Sequence, residues 1–82
     1  MLGYYVYGSM DNPNKIQVGN VTFYRYNDYL GVHNNQYKSY SLNQNQHLIY
    51  YIGYTTVDVV IQNGYARLYI YDDYGNEAVY YL

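Results

Sequence analysis

Two histidines, three serines, six carboxylates and 17 tyrosines are the side chains with chemistry to offer in this 82-residue sequence. A zinc or catalytic site wants several ligands at local spacing, such as two histidines four apart on one helix face. His33 and His47 have no such partners. They could meet only if distant strands brought them together near Asp28 or Asp58. Ser9, Ser39 and Ser41 sit in no nucleophile elbow, and there is no cysteine. Asp72 and Asp73 are adjacent in a turn-like segment, whereas paired-carboxylate hydrolysis needs two acids across a cleft. The glycines stand singly, so no phosphate-cradling loop can be read. These residues point away from an enzyme and imply neither a metal nor an organic cofactor.

The tyrosines remain. A buried phenol needs a hydrogen-bond partner for its hydroxyl, and a small domain has little interior for so many rings. Many of them must therefore face water, a ligand or another protein. Tyrosine suits such faces because it brings a large, stiff, amphipathic surface with little side-chain entropy to lose. Tyr65, Tyr69 and Tyr71, with Arg67 between them, fall at every second position and so share one strand face, about 7 Å per step. Tyr24 and Tyr26 pair up in the same way, as do Tyr5 and Tyr7, while Tyr50-Tyr51 and Tyr80-Tyr81 place one ring on each side. The expected interaction face is therefore Tyr65, Arg67, Tyr69 and Tyr71, together with Tyr24 and Tyr26.

Three functions fit such a face. In the first, the rings pack on another copy of the chain or on a larger assembly such as a virion, coat or surface layer. In the second, a tyrosine ladder is a platform for carbohydrate, with Asn and Gln supplying hydrogen bonds from the rim. The third is a small virus-encoded inhibitor of a host protein. The tyrosines are spread over the whole chain, which favours a homo-oligomer or an assembly partner over a single pocket.

The elements that must carry these residues are strands. Helix-forming runs are nearly absent, and Tyr, Val, Ile and Thr cluster between Gly, Asn and Asp pairs. Asn63-Gly64 demands positive φ at two successive positions, the requirement of a type I′ hairpin. Pairing Gln62 with Tyr65 then sets Ile61 against Ala66, Val59 against Leu68 and Val57 against Ile70. Turn chemistry and face alternation select the same register. On the other face Arg67 lies diagonal to Asp58, close enough for an exposed ion pair. Asp72 to Asn76 reads as a type I turn with Gly75 at a bulge, which sets Ile70 against Ala78, Leu68 against Tyr80 and Ala66 against Leu82. Gly19-Asn20 fits a type II′ turn with Val18 opposite Val21 and Ile16 opposite Phe23.

Asn27-Asp28 and Asn34-Asn35 predict tight turns between strands near 21–26, 29–33 and 36–42. Met10 to Lys15 reads as a loop. Asn43 to Gln46 reads as a polar loop before a strand from about His47 to Tyr54, and Gly53 as a bend or bulge. The low-charge run Leu48 to Ile52 is either an ordinary core strand or an edge open to pairing between chains. The whole predicts a single all-β domain over 1–82: an antiparallel β-barrel or β-sandwich of eight or nine short strands, mostly up and down.

Composition sets the remaining bounds. Without cysteine there is no disulfide or thiolate-metal staple, so association is the simplest offset for a thin core. The net charge is −2, with only Lys15, Arg25, Lys38 and Arg67 as cations. Nucleic-acid binding draws on phosphate neutralisation, which four scattered cations supply poorly. The N-terminal run has no basic region and too short an apolar stretch for a signal peptide, and Leu48 to Ile52 is far short of a bilayer span. A soluble product is expected, in a virion or host cytoplasm on the viral readings.

In composition the chain resembles small proteins from viruses of archaea and other AT-rich genomes, and it is similar to tyrosine-rich spore-coat proteins. That likeness carries no motif, so it assigns no functional residue.

Overall fold

A computed structural model describes residues 4–82. Nine antiparallel strands form two sheets, with no helix among the described residues. The first sheet holds β1 (Tyr4–Gly8), β2 (Pro13–Val18), β3 (Val21–Tyr26), β4 (Tyr29–Asn34) and β5 (Gln36–Ser41). The second holds β6 (Gln46–Ile52), β7 (Thr55–Gln62), β8 (Tyr65–Asp72) and β9 (Glu77–Tyr81). In both, spatial order is chain order, and neither sheet closes into a barrel.

The hairpins follow from their turn residues. Asn63 and Gly64 have φ of 54° and 84°, the left-handed values a type I′ loop needs, and Gln62 pairs with Tyr65 as predicted. The whole β7–β8 register follows, from Ile61 against Ala66 to Val57 against Ile70. At the β8–β9 turn the Asp72 carboxylate accepts the backbone N–H of Tyr74 at 2.9 Å and of Asn76 at 3.0 Å. Its second oxygen takes the Asn76 amide at 2.9 Å. These bonds hold the Asp72 carboxyl below its ordinary pKa, the Asn76 side chain acting most, against a smaller opposing effect of desolvation.

Three boundaries differ from the sequence reading. The loop before β2 is shorter than Met10 to Lys15, because Pro13 opens the strand and is itself buried. Proline, lacking an N–H, is tolerated at a strand's first residue, and here it pairs with Gly8 across a register shift. The reversal after β4 centres on Asn35 alone, at φ 62°, with Asn34 already paired to Gln36. Gly53 makes a tight reversal rather than a bend, since Ile52 pairs with Thr55. The reading of Met1 to Gly3 falls outside the described residues.

Alternate residues from both sheets meet in one hydrophobic cluster. Ile16, Val18, Val21, Phe23, Leu30 and Val32 come from the first sheet, and Val57, Val59, Ile61, Ala66, Leu68 and Ile70 from the second. Leu42, between the sheets in sequence, is fully buried. Its N–H bonds the Asp28 carbonyl at 2.8 Å, and its carbonyl accepts from Gly64 N–H at 2.9 Å. It thus ties a turn of each sheet to the core.

Tyrosine pairs link the outermost strands of the two sheets. On one side Tyr4 of β1 and Tyr80 of β9 share a hydroxyl–hydroxyl bond of 3.0 Å, their rings edge to face. On the other, Tyr50 of β6 sets its ring edge-on to Phe23 and faces Tyr40 of β5, whose hydroxyl adds to burial in raising the Tyr50 pKa. Burial, and then the Tyr80 hydroxyl, pushes Tyr4 up to about 12. Phenols drawn toward the core thus meet at both seams, which accounts for four of the 17 tyrosines.

Candidate functional site: the two outward faces

Each sheet turns a second face away from the core, and strand register decides what it carries. On the β6–β9 sheet the outward rows are His47–Val60–Arg67–Tyr81, then Ile49–Asp58–Tyr69–Val79, then Tyr51–Thr56–Tyr71–Glu77. Tyr65 lies at the end of this face beside Gln62. Tyr65, Arg67, Tyr69 and Tyr71 are therefore together, as the alternation predicts. Tyr24 and Tyr26 belong to the outward face of the other sheet and do not join them.

The charged groups of the β6–β9 face pair diagonally. His47 Nε2 lies 2.6 Å from Asp58 Oδ1. The Tyr69 hydroxyl donates to Glu77 at 2.5 Å, which raises its pKa, with desolvation adding to the shift. The Tyr69 and Tyr71 rings sit 5.0 Å apart, and Tyr65 and Tyr81 are 5.7 Å apart. The expected Arg67–Asp58 pair does not form, because His47 holds that carboxylate. Arg67 has its Nε buried without a hydrogen-bond partner. It lines a hollow of about 310 Å³ with Tyr69, Val79 and Tyr81.

Both edge strands of this sheet present large apolar side chains outward. Ile49 and Tyr51 on β6 are 48% and 80% exposed, and Val79 and Tyr81 on β9 are 49% and 52% exposed. Register alone locates Tyr81 opposite Arg67 and Val79 opposite Tyr69. The β8–β9 register read from the sequence therefore places those two on this face.

The outward face of β1–β5 is built differently. Its rows are Tyr5–Gln17–Thr22–His33–Tyr37, then Tyr7–Lys15–Tyr24–Gly31–Ser39, then Tyr26–Tyr29–Ser41. Four rings gather there in near-parallel contact. Tyr24 lies 5.7 Å from Tyr26 and 6.2 Å from Tyr37, and Tyr26 lies 5.7 Å from Tyr29. The Tyr37 hydroxyl donates to that of Tyr26, whose pKa is raised chiefly by this bond. Gly31 seats the group: a Cβ there would lie 2.5 Å from Tyr24 Cζ, so the ring rests against bare backbone. Beside it, Lys15, Thr22, Tyr24, His33 and Tyr37 line a groove of about 420 Å³. The Lys15 ammonium stands 5.4 Å from the centre of the Tyr7 ring. Tyr29, Tyr37 and Gly31 were not singled out from sequence. The only available signal was a glycine facing an aromatic across a strand pair.

No group of three or more His, Cys, Asp or Glu able to hold a metal forms among the described residues. His33 and His47 lie on different sheets, and of the two only His47 finds an acid. Among those residues no helix is long and apolar enough to cross a membrane. No known protein family, curated protein or solved structure matches the chain.

Proposed function

We propose that this chain is a non-catalytic association protein, a two-layer β-sandwich whose β6–β9 outward face packs on a second copy or on a component of a larger assembly. One observation carries this reading. Exposed apolar groups stand on three of its four strands, Ile49 and Tyr51 on β6, Tyr71 on β8, and Val79 and Tyr81 on β9, around the polar Thr56 and Asp58 of β7. Large exposed apolar groups gathered on one face and rimmed by polar residues mark interaction sites, and Tyr and Arg are enriched in interface cores. Arg67 adds support, because its sealed, unpartnered Nε sits beside rings whose packing another surface would complete. The edge strand β6 also presents unpaired backbone groups beside Ile49 and Tyr51, a ready template for another chain.

The test is solution mass across a dilution series for the native chain and for the Tyr69→Ser/Tyr71→Ser double variant. The native chain is expected to assemble reversibly, and the variant to stay folded but remain monomeric where the native chain associates. A native chain that is monomeric at every concentration, or a variant of unchanged mass, defeats the reading.

A further inference from the structure

We propose that the groove on the β1–β5 outward face binds an acidic sugar ring, a uronate unit of a polysaccharide. The site lies on the sheet not assigned to association and stands independently of that reading. Its platform is the half-buried Tyr24 ring, which rests on Gly31 and lines the groove beside Tyr37. A sugar's axial C–H groups pack on such a ring as apolar surface. The groove, about 420 Å³, falls within the range of small-molecule sites. Thr22 brings a hydroxyl to it and His33 a ring nitrogen, suited to sugar hydroxyls, and Tyr37 adds ring surface.

Charge narrows the class of ligand. Strands β1 to β5 carry no Asp or Glu, and the acids nearest in sequence, Asp11 and Asp28, lie in turns. Among the described residues no carboxylate pairs with Lys15, which lines the groove with its head placed by the Tyr7 ring. A neutral sugar leaves that ammonium unused, whereas a uronate carboxylate gives it a charge-assisted hydrogen bond. Extended phosphate polymers fit less well, since a single lysine at the groove neutralises too little of them.

The experiment titrates the native chain with oligogalacturonate and, as the neutral control, maltotriose, following tyrosine fluorescence and the Gly31 amide resonance. Saturable oligogalacturonate binding with Kd near 1 mM or below is expected, with maltotriose roughly tenfold weaker. Lys15→Gln should remove that preference, and Tyr24→Ser should abolish binding of both. Lys15 is exposed, so its variant reports on the ligand rather than on folding. Absence of saturable binding, equal affinity for the neutral sugar, or an unchanged preference in Lys15→Gln would each overturn the assignment. The Tyr69→Ser/Tyr71→Ser variant should bind oligogalacturonate like the native chain, which separates failure of this site from failure of the association face.

Discussion

Replacing Gly31 by Ala tests the seat of the aromatic group directly. The added Cβ would lie 2.5 Å from Tyr24 Cζ and 2.9 Å from both Cε atoms. Carbon atoms rest at about 3.5–4 Å, so the ring must lift by about 1 Å or swing away. Gly31 has no positive φ, so alanine adopts its backbone without strain. Two energies then compete. Tyr24 gives up ring contacts to Tyr26 and Tyr37, each worth about 0.5–1.5 kcal/mol. Against that, alanine in a strand recovers about 0.5–1 kcal/mol of the backbone entropy that glycine loses. The net loss falls between about 0 and 2.5 kcal/mol, centred near 1, which lowers Tm by about 4–8 °C for a chain of this size. Thermal unfolding by circular dichroism gives the stability, and aromatic proton shifts show whether the Tyr26 and Tyr37 environments change. Unaltered shifts, or a loss above about 4 kcal/mol, would refute the argument that an adjustable ring rests on bare backbone here.

Other perturbations follow from the same structure. Leu42→Ala should cost about 2–5 kcal/mol in denaturant unfolding, because the side chain is fully buried between the sheets. A loss below about 1 kcal/mol would mean that Leu42 does not fasten them. Asp72→Ala should lower Tm and slow closure of the β8–β9 turn. Because the folded Asp72 pKa is depressed, its contribution is present above the unfolded value and lost as pH falls through the folded one. The native and variant chains should therefore converge in stability at acid pH. The seam phenols give the opposite sign. Tyr4 is raised from 10.0 to about 12 and Tyr50 is raised too, so their contribution is complete below about 10 and lost as pH rises through the folded values. Phenolate absorbance followed together with circular dichroism should show the last rings ionising only as the fold melts. A single smooth ionisation near 10 without unfolding would contradict the seam.

The sequence spoke most clearly where independent constraints coincide. At β7–β8 the Asn63-Gly64 loop and the alternation of Val57, Val59 and Ile61 choose one register, and the same logic extends through Gly75 to Tyr80. It was least clear where one residue type suits two settings. Tyr4, Tyr40, Tyr50 and Tyr80 pack toward the core, while Tyr5, Tyr37, Tyr51 and Tyr81 face outward, and β-propensity treats them alike. Four phenols, Tyr4 with Tyr80 and Tyr40 with Tyr50, thus find places at the seams that a count of rings against interior volume does not foresee. The division into two sheets was also hidden. The polar segment after Leu42 looks like every other turn, and only pairing shows that no strand ladder crosses it. Pro13 misled because its lack of an N–H suggests a loop, although the first position of a strand does not require one.

Strand order that repeats chain order has a consequence for synthesis. Each ladder of the first sheet can close as soon as its second strand leaves the ribosome, without waiting for distant sequence. What must wait is the cover: Ile16, Phe23, Leu30 and Val32 have no opposing layer until β7 and β8 emerge with Val57, Val59, Leu68 and Ile70. A half-made chain is thus a nearly finished sheet with a bare greasy side, the kind of species that sticks to its neighbours. Translation pauses after Leu42 would lengthen that exposure, whereas rapid delivery of the last two hairpins would end it.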